Sequence, residues 1–236
     1  MINISSILFL DIETVPQHPT WVHVPESWKE LWSAKAASLS NNPDDTPESL
    51  YQRAGIYAEF GKIICISCGF LSRSEGQERF RMKSFFGHDE KQLLTEFGEL
   101  LNKITGKAIT TLCAHNGKEF DFPWIARRMV IHGIPLPGLL DVAGKKPWEV
   151  NLLDTMELWK FGDRKSYTTL NLLAATLDVP TPKDDIDGSQ VARVYYEEQN
   201  LERIVTYCQK DVLTVAQVVR RFRREPLIPE DAVVVS

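Results

Sequence analysis

No run of about 18 apolar residues occurs anywhere in the chain, so no segment is expected to span a membrane. The N-terminus has neither a basic n-region nor a small-residue cleavage site, so no secretory leader is expected. Cysteine is scarce. The four present, Cys65, Cys68, Cys113 and Cys208, sit in apolar surroundings of the kind that hold buried, reduced thiols, which points to a cytoplasmic location. Cys65 and Cys68 form a C-x-x-C, but in a strand-like run their odd spacing sends them to opposite faces, and no second pair completes a zinc site. An excess of positive charge is also missing. The net charge of −5 argues mildly against a non-specific polyanion binder, although arginines gather at Arg220, Arg221, Arg223 and Arg224 and at Arg127 and Arg128. An acidic site that holds cations would distort that total, so charge excludes no nucleic-acid enzyme.

What is present is enough for a large core. At 236 residues and 43% apolar, the chain is an ordinary soluble globular protein with room for one large α/β domain or two small ones; no clean linker divides it, and the reading adopted is one domain over residues 1–236. Its first apolar run, Ile7-Leu8-Phe9-Leu10-Asp11-Ile12-Glu13-Thr14-Val15-Pro16, has the length and composition of a buried strand. Alternation puts Asp11 and Glu13 on one face while Leu10 and Ile12 point into the core. Two acids about 7 Å apart on one strand face repel each other unless something positive lies between them. Hard Mg²⁺ or Mn²⁺ takes oxygen ligands of this kind. The plain alternative is a strand that ends in polar residues, so the triplet needs partners.

Residues 17–61 read as a helical and looped insertion after the first strand, too short for a core of its own. Segments 62–71 and 80–86 read as a hairpin beside that strand. Asp89 caps a helix with its stripe at Leu93, Leu94, Phe97, Leu100, Leu101 and Ile104 and its stop at Gly106. Then follow a strand at 109–114, a helix at 123–132, a short strand at 150–153 and a helix at 170–177 introduced by Ser166 and the threonines. An acidic loop at 183–190 comes next, and finally a long helix capped by Asn200. Within that loop Asp185-Ile186-Asp187-Gly188 fails the EF-hand pattern, because Lys183 and Val194 would fill its first and last ligand positions. The six tryptophans, the Trp28/Trp32 pair among them, read most simply as core, with an aromatic wall for unstacked bases as the alternative. Strands first, then helix–strand alternation, predict a mixed sheet covered by helices.

Three places can join Asp11 and Glu13. The strand at 109–114 runs into His115-Asn116-Gly117-Lys118-Glu119-Phe120-Asp121-Phe122-Pro123, placing Asp121 at a strand's carboxyl end, where α/β sheets build sites. Alone, Asp121 reads just as well as a helix N-cap, and His115 as a satisfied structural histidine. Tyr207 and Asp211 lie four apart on the last helix, hence neighbours at the border of its apolar stripe. Alone, that pair is an ordinary amphipathic edge. Asp154 ends a strand near the same place, as a further acid or a cap.

The ordered set DIET, HN-x-x-x-FD-x-P and Y-x-x-x-D resembles the three motifs of the ribonuclease H-like DEDD 3′–5′ exonucleases, tyrosine type. AGIYAEFGKIICIS, SYTTLNLLAATLDVP and DIDGSQVARVYYE are similar to tracts of predicted exonucleases related to the proofreading domain of family B DNA polymerases. The histidine variant would need His where Thr206 stands. The resemblance implies a ribonuclease H-like mixed β-sheet flanked by helices and a metal-dependent exonuclease. Asp11, Glu13, Asp121 and Asp211 would hold two divalent cations, Mg²⁺ or Mn²⁺. Asp11 would bridge both, Glu13 and Asp211 would complete the first, and Asp121 would hold the second, partly through water. Tyr207 would orient the attacking water, and Thr14, Asn116 and Phe120 would contact the terminal nucleotides, although Phe120 fits plain core packing equally well. The implied partner is the 3′ end of a single-stranded nucleic acid, with DNA favoured and RNA left open, since no side chain can be assigned to a 2′-hydroxyl. A proofreading or repair role would require a separate polymerase. A silent binding module of the same fold has no use for four convergent acids, and a small-molecule phosphodiesterase would show no dependence on chain length.

Overall fold

The computed structural model describes residues 3–74, 76–106, 108–163, 167–181 and 186–236. Strand β1 (Ile7–Pro16) occupies the position the apolar run predicts. It pairs antiparallel with β2 (Gly61–Ser74), which turns back into β3 (Gln77–Phe86). On its other side β1 runs parallel to β4 (Thr111–Ala114), and β4 runs parallel to β5 (Leu152–Asp154). With β6 (Val233–Val235) beside β3, the sheet has six strands in the order β5-β4-β1-β2-β3-β6. The hairpin is longer than 62–71 and 80–86, because polar residues continue the ladder past the apolar stretch.

Both faces of the sheet are covered, as a mixed α/β architecture requires. The even positions Leu8, Leu10 and Ile12 pack with Leu94, Phe97 and Leu101 of α2 (Glu90–Ile104) and with Phe122, Ile125 and Met129 of α3 (Asp121–Ile131). The odd positions Ile7 and Phe9 pack on the opposite face with Val212, Val215 and Val219 of α7 (Leu201–Phe222). Asp89 caps α2 through Oδ1, which accepts the Gln92 N–H at 3.0 Å, and Asn200 caps α7 through the Arg203 N–H at 3.1 Å. Cys65 and Cys68 do face opposite ways, one toward Cys208 and one into the α2 side.

Residues 17–61 hold α1 (Glu26–Ala37) and a 3₁₀ turn, Tyr51–Ile56. Trp32, Ala36, Tyr51 and Ala54 form a small cluster there around the Trp32 indole, whose Nε1–H donates to Pro47 O at 2.8 Å. The tryptophans divide: Trp32 and Trp124 are buried, whereas Trp28 is 43% and Trp148 78% exposed. The helix at 123–132 begins two residues earlier than read, with Asp121 inside its first turn. Three elements had not been read from the sequence. They are α4 (Thr155–Lys160), α6 (Val191–Tyr196) and β6, each too short to show periodicity. Between α4 and α6 lies α5 (Leu170–Thr176), capped by Thr169; Ser166 and most of the acidic loop's start, including Asp185, lie outside the described residues. Among the described residues no helix is long and apolar enough to cross a membrane.

Each arginine cluster has one member turned into the core. Arg220 is buried and ion-paired with Glu78, and Arg128 is buried against Glu90. Glu90 Oε1 accepts the Ile63 N–H (2.7 Å) and Arg128 Nε–H (2.9 Å), while Oε2 takes Arg128 Nη2–H (2.6 Å) and stands 2.8 Å from His132 Nε2. Arg128 also donates through Nη1 to Ala58 O at 2.9 Å. A buried carboxylate stripped of its guanidinium is costly. Replacing Arg128 with alanine is therefore expected to destabilise the fold by about 3–5 kcal/mol, read as a lower urea midpoint at unchanged slope.

Candidate active site

The carboxylates gather where β1 leaves the apolar part of the sheet. Asp11 and Glu13 share the α7 side of the strand, and a bulge between Glu13 and Thr14, where one extra β2 residue is accommodated, bends the strand just past them. From the other side, α3 delivers Asp121, whose Oδ1 accepts the Ile12 N–H at 3.2 Å. Tyr207 and Asp211, half-buried and one helical turn apart on α7, close the third side. Asp11, Glu13, Tyr207 and Asp211 line one groove of about 980 Å³, together with Thr14 and Phe120. Asp121 is buried at its back rather than on its wall.

The electrostatics of this arrangement are unfavourable without a counter-charge. Burial pushes the Asp11 carboxyl well above its usual range, and the Glu13, Asp211 and Asp121 charges push it further. Burial does the same to Glu13, with Asp211 adding to it. Asp121 is raised to about 7 by burial, although backbone hydrogen bonds, including that from Ile12, pull it down. Asp11 Oδ2 is buried and makes no hydrogen bond. A buried, partnerless carboxylate oxygen among like charges is the donor a divalent cation satisfies. An oxygen-donor set of this kind suits hard cations such as Mg²⁺ or Mn²⁺.

Cys208 is the unforeseen neighbour. Its sulfur lies within 4.8 Å of donor atoms of Asp11 and Glu13, and its S–H donates to the Asp11 backbone carbonyl at 3.4 Å. Burial raises the thiol well above its ordinary value, so it stays protonated, a soft and occupied donor behind the carboxylates. Its spacing three before Asp211 was the available signal, and the apolar stripe masked it.

The remaining sequence candidates separate. Thr14 Oγ1 donates to Gly55 O at 2.7 Å, so the hydroxyl supports the fold while the residue lines the groove. Phe120 lines the groove and also packs on Trp124, with ring centroids 6.0 Å apart. Asn116 does not line it. It sits at φ 59° beside an adjoining depression, with Oδ1 buried and unpartnered. Asp154 is a cap and a loop organiser: Oδ1 accepts the N–H groups of Asn116 (3.0 Å) and Met156 (2.9 Å), and Oδ2 that of Lys118 (3.1 Å). His115 is held between Thr155 Oγ1 and Thr168 O, and burial lowers its pKa, as suits a structural histidine. The rest of the groove is built by residues 52–56 and α6, which fall largely in the tracts AGIYAEFGKIICIS and DIDGSQVARVYYE. The Tyr196 hydroxyl ties α6 to the end of β1 by donating to Pro16 O at 2.6 Å.

A mixed sheet with helices on both faces, and acids brought together at the end of its first strand, defines an enzyme of the ribonuclease H-like exonuclease class. Residues 56–224 match the family described as a predicted 3′–5′ exonuclease related to the exonuclease domain of PolB. The chain belongs to that family. The match contains Asp121, Tyr207 and Asp211 and begins after β1. The chain is also 24% identical over 194 residues to a DNA polymerase of Pyrococcus glycovorans. That alignment takes in 74% of this chain and 24% of the polymerase, so the chain spans about a quarter of that relative's length.

Relieving repulsion should stabilise the metal-free protein. Asp11→Asn is expected to melt no lower than wild type in chelator, and higher if the repulsion outweighs lost packing; calorimetry in excess EDTA reads this. A clear fall in melting temperature would mean that Asp11 has a stabilising partner.

Proposed function

We propose that the chain hydrolyses phosphodiester bonds from the 3′ end of single-stranded nucleic acid, with DNA favoured, and that residues 1–236 act as one exonuclease domain. The observation that carries the reading is the convergence of buried, mutually repelling carboxylates with the partnerless Asp11 Oδ2 in one groove. Asp11, Glu13, Asp121 and Asp211 would hold two divalent cations, Mg²⁺ or Mn²⁺. Bound there, the cations supply an activated water and stabilise the charge on the leaving 3′-oxygen.

The protein's own groups orient and exclude. Asp121, fixed by the Ile12 N–H, and Asp11 and Glu13, fixed on a buried strand, present carboxylates that need little rearrangement. Burial first, then the charges of Asp211, Glu13 and Asp11, push the Tyr207 hydroxyl far above the ordinary tyrosine value, so it keeps its proton. Kept protonated on the wall of the groove, that hydroxyl can hydrogen-bond a water and aim it. Tyr207 is thus an orienting group and not the base. Phe120 and Thr14 would meet the terminal nucleotide. The relation to the exonuclease domain of PolB supports a proofreading or repair role beside a separate polymerase, in the cytoplasm, where the four free, buried thiols stay reduced.

Cleavage of a 5′-labelled single strand is expected with Mg²⁺ or Mn²⁺ and to disappear in chelator, with Ca²⁺ supporting binding but little turnover because its bonds are longer and its geometry looser. Full activity of protein shown by elemental analysis to be metal-free would refute the reading. Asp211→Asn is expected to lower turnover by several orders of magnitude with the fold intact.

Tyr207→Phe tests the orienting role separately. The ring and the acids remain, so turnover should fall by about 10²–10³ while affinity for a 3′-ended oligonucleotide and metal dependence stay unchanged. Turnover within a few-fold of wild type, with metal occupancy verified, would remove Tyr207 from the site.

A further inference from the structure

The wall of the groove opposite α7 is the turn that ends the 3₁₀ segment Tyr51–Ile56, and it is held with unusual redundancy. Gly55 O accepts from Thr14 Oγ1 at 2.7 Å, Ile56 O from Trp124 Nε1 at 2.9 Å, and Ala58 O from Arg128 Nη1 at 2.9 Å. The donors belong to the two elements that carry the acids. Thr14 follows Glu13 on β1, while Trp124 and Arg128 stand three and seven residues after Asp121, along one face of α3. Packing is equally close: a Cβ on Gly55 would lie 3.1 Å from the Pro16 ring, and one on Gly61 2.7 Å from the Trp124 indole.

Three side-chain bonds to one short turn fix its backbone, yet the residue at its centre is left out of the core. Ile56 is 51% exposed and lines the same groove as Asp11, Glu13, Phe120 and Tyr207. A single exposed isoleucine is ordinary on a surface. One whose carbonyl is pinned by the helix that bears Asp121, and which borders the acid cluster, has a fixed position relative to the reacting centre. The groove's described lining carries only two cations, Arg53 and Arg193. Arg193 is paired with Glu198, whereas Arg53, three residues before Ile56, is exposed and among the described residues bonds Leu39 O at 3.4 Å. Beside an anion-repelling floor, this wall offers an apolar surface and a cation, the pairing that receives a base and its phosphate.

We propose that Ile56, on the clamped turn, is the platform on which the 3′-terminal base of a single strand packs, making an unstacked, unpaired end the form of substrate that fits. The proposal rests on the exonuclease reading of the groove. Every base has an apolar face, so the contact selects for an unpaired end without selecting sequence. Trp124 is a positioning residue, acting through the carbonyl of Ile56.

The test is binding of a 5′-fluorescein single-stranded DNA 12-mer, in Ca²⁺ so that it stays whole, compared with the same strand ending in an abasic nucleotide. Fluorescence anisotropy is expected to show wild type binding the intact strand about tenfold more tightly than the abasic-ended one. Ile56→Ala should lose a large part of that factor on the intact strand, the rest staying with Phe120, and nothing on the abasic-ended strand, and Ile56→Leu should restore it. Trp124→Phe, which keeps a ring but removes the donor, should weaken the intact strand in the same sense. Equal affinity of wild type and Ile56→Ala for the intact strand, an equal loss on both strands, or no binding by wild type overturns the platform. Cleavage by Asp11→Asn in Mg²⁺ distinguishes the two readings. Full cleavage by that variant overturns the acid site whatever Ile56 does, whereas abolished cleavage with unaltered Ile56→Ala binding overturns the platform alone.

Discussion

The constraint on which the structure depends is that two carboxylates stand on a strand otherwise buried on both faces. β1 has α2 and α3 on one side and α7 on the other, so Asp11 and Glu13 meet solvent only through the groove they line. Desolvation and like charge then raise both groups together. The fold accepts this cost at one point because the surrounding core is extensive enough to impose it. Everything near the point follows from that. The bulge turns the strand, the Ile12 N–H fixes Asp121, and Cys208 presses a neutral thiol against the backbone from behind.

Helix α3 connects this chemistry to the groove's shape. Its first residue is Asp121, its first turn carries Trp124, and its second carries Arg128, which completes the buried network with Glu90. An acid, a wall clamp and a buried ion pair therefore share one helix, and the Arg128 that pairs with Glu90 also holds the Ala58 carbonyl. Residues 17–61 accordingly do more than decorate the sheet, since their last turn forms one side of the groove.

Long elements and capped helices were readable because their signals are local. The Ile7–Pro16 run, the Asp89 and Asn200 caps and the α2 and α7 stripes each need only neighbours in sequence. The short elements α4, α6 and β6 were not readable, because they are held by contacts rather than by pattern. Thr14 and Asn116 show the same limit at the site. Their types suit nucleotide contact, while the bond from the Thr14 hydroxyl to Gly55 O and the placing of Asn116 on a separate depression are set by contacts distant in sequence.

The acids, their order, and the strand and helix that carry most of them are legible in the linear chain, since alternation along β1 and the 3.6-residue turn of α7 set which side chains share a face. Their meeting comes from how distant segments pack. β4 must lie parallel beside β1 for Asp121 to reach Ile12, and α7 must cross that strand for Tyr207 and Asp211 to face Asp11. The groove wall at Ile56, the thiol of Cys208 and the burial of Arg128 belong to the same category. Each depends on which distant segments come into contact, and no spacing within a single segment encodes that.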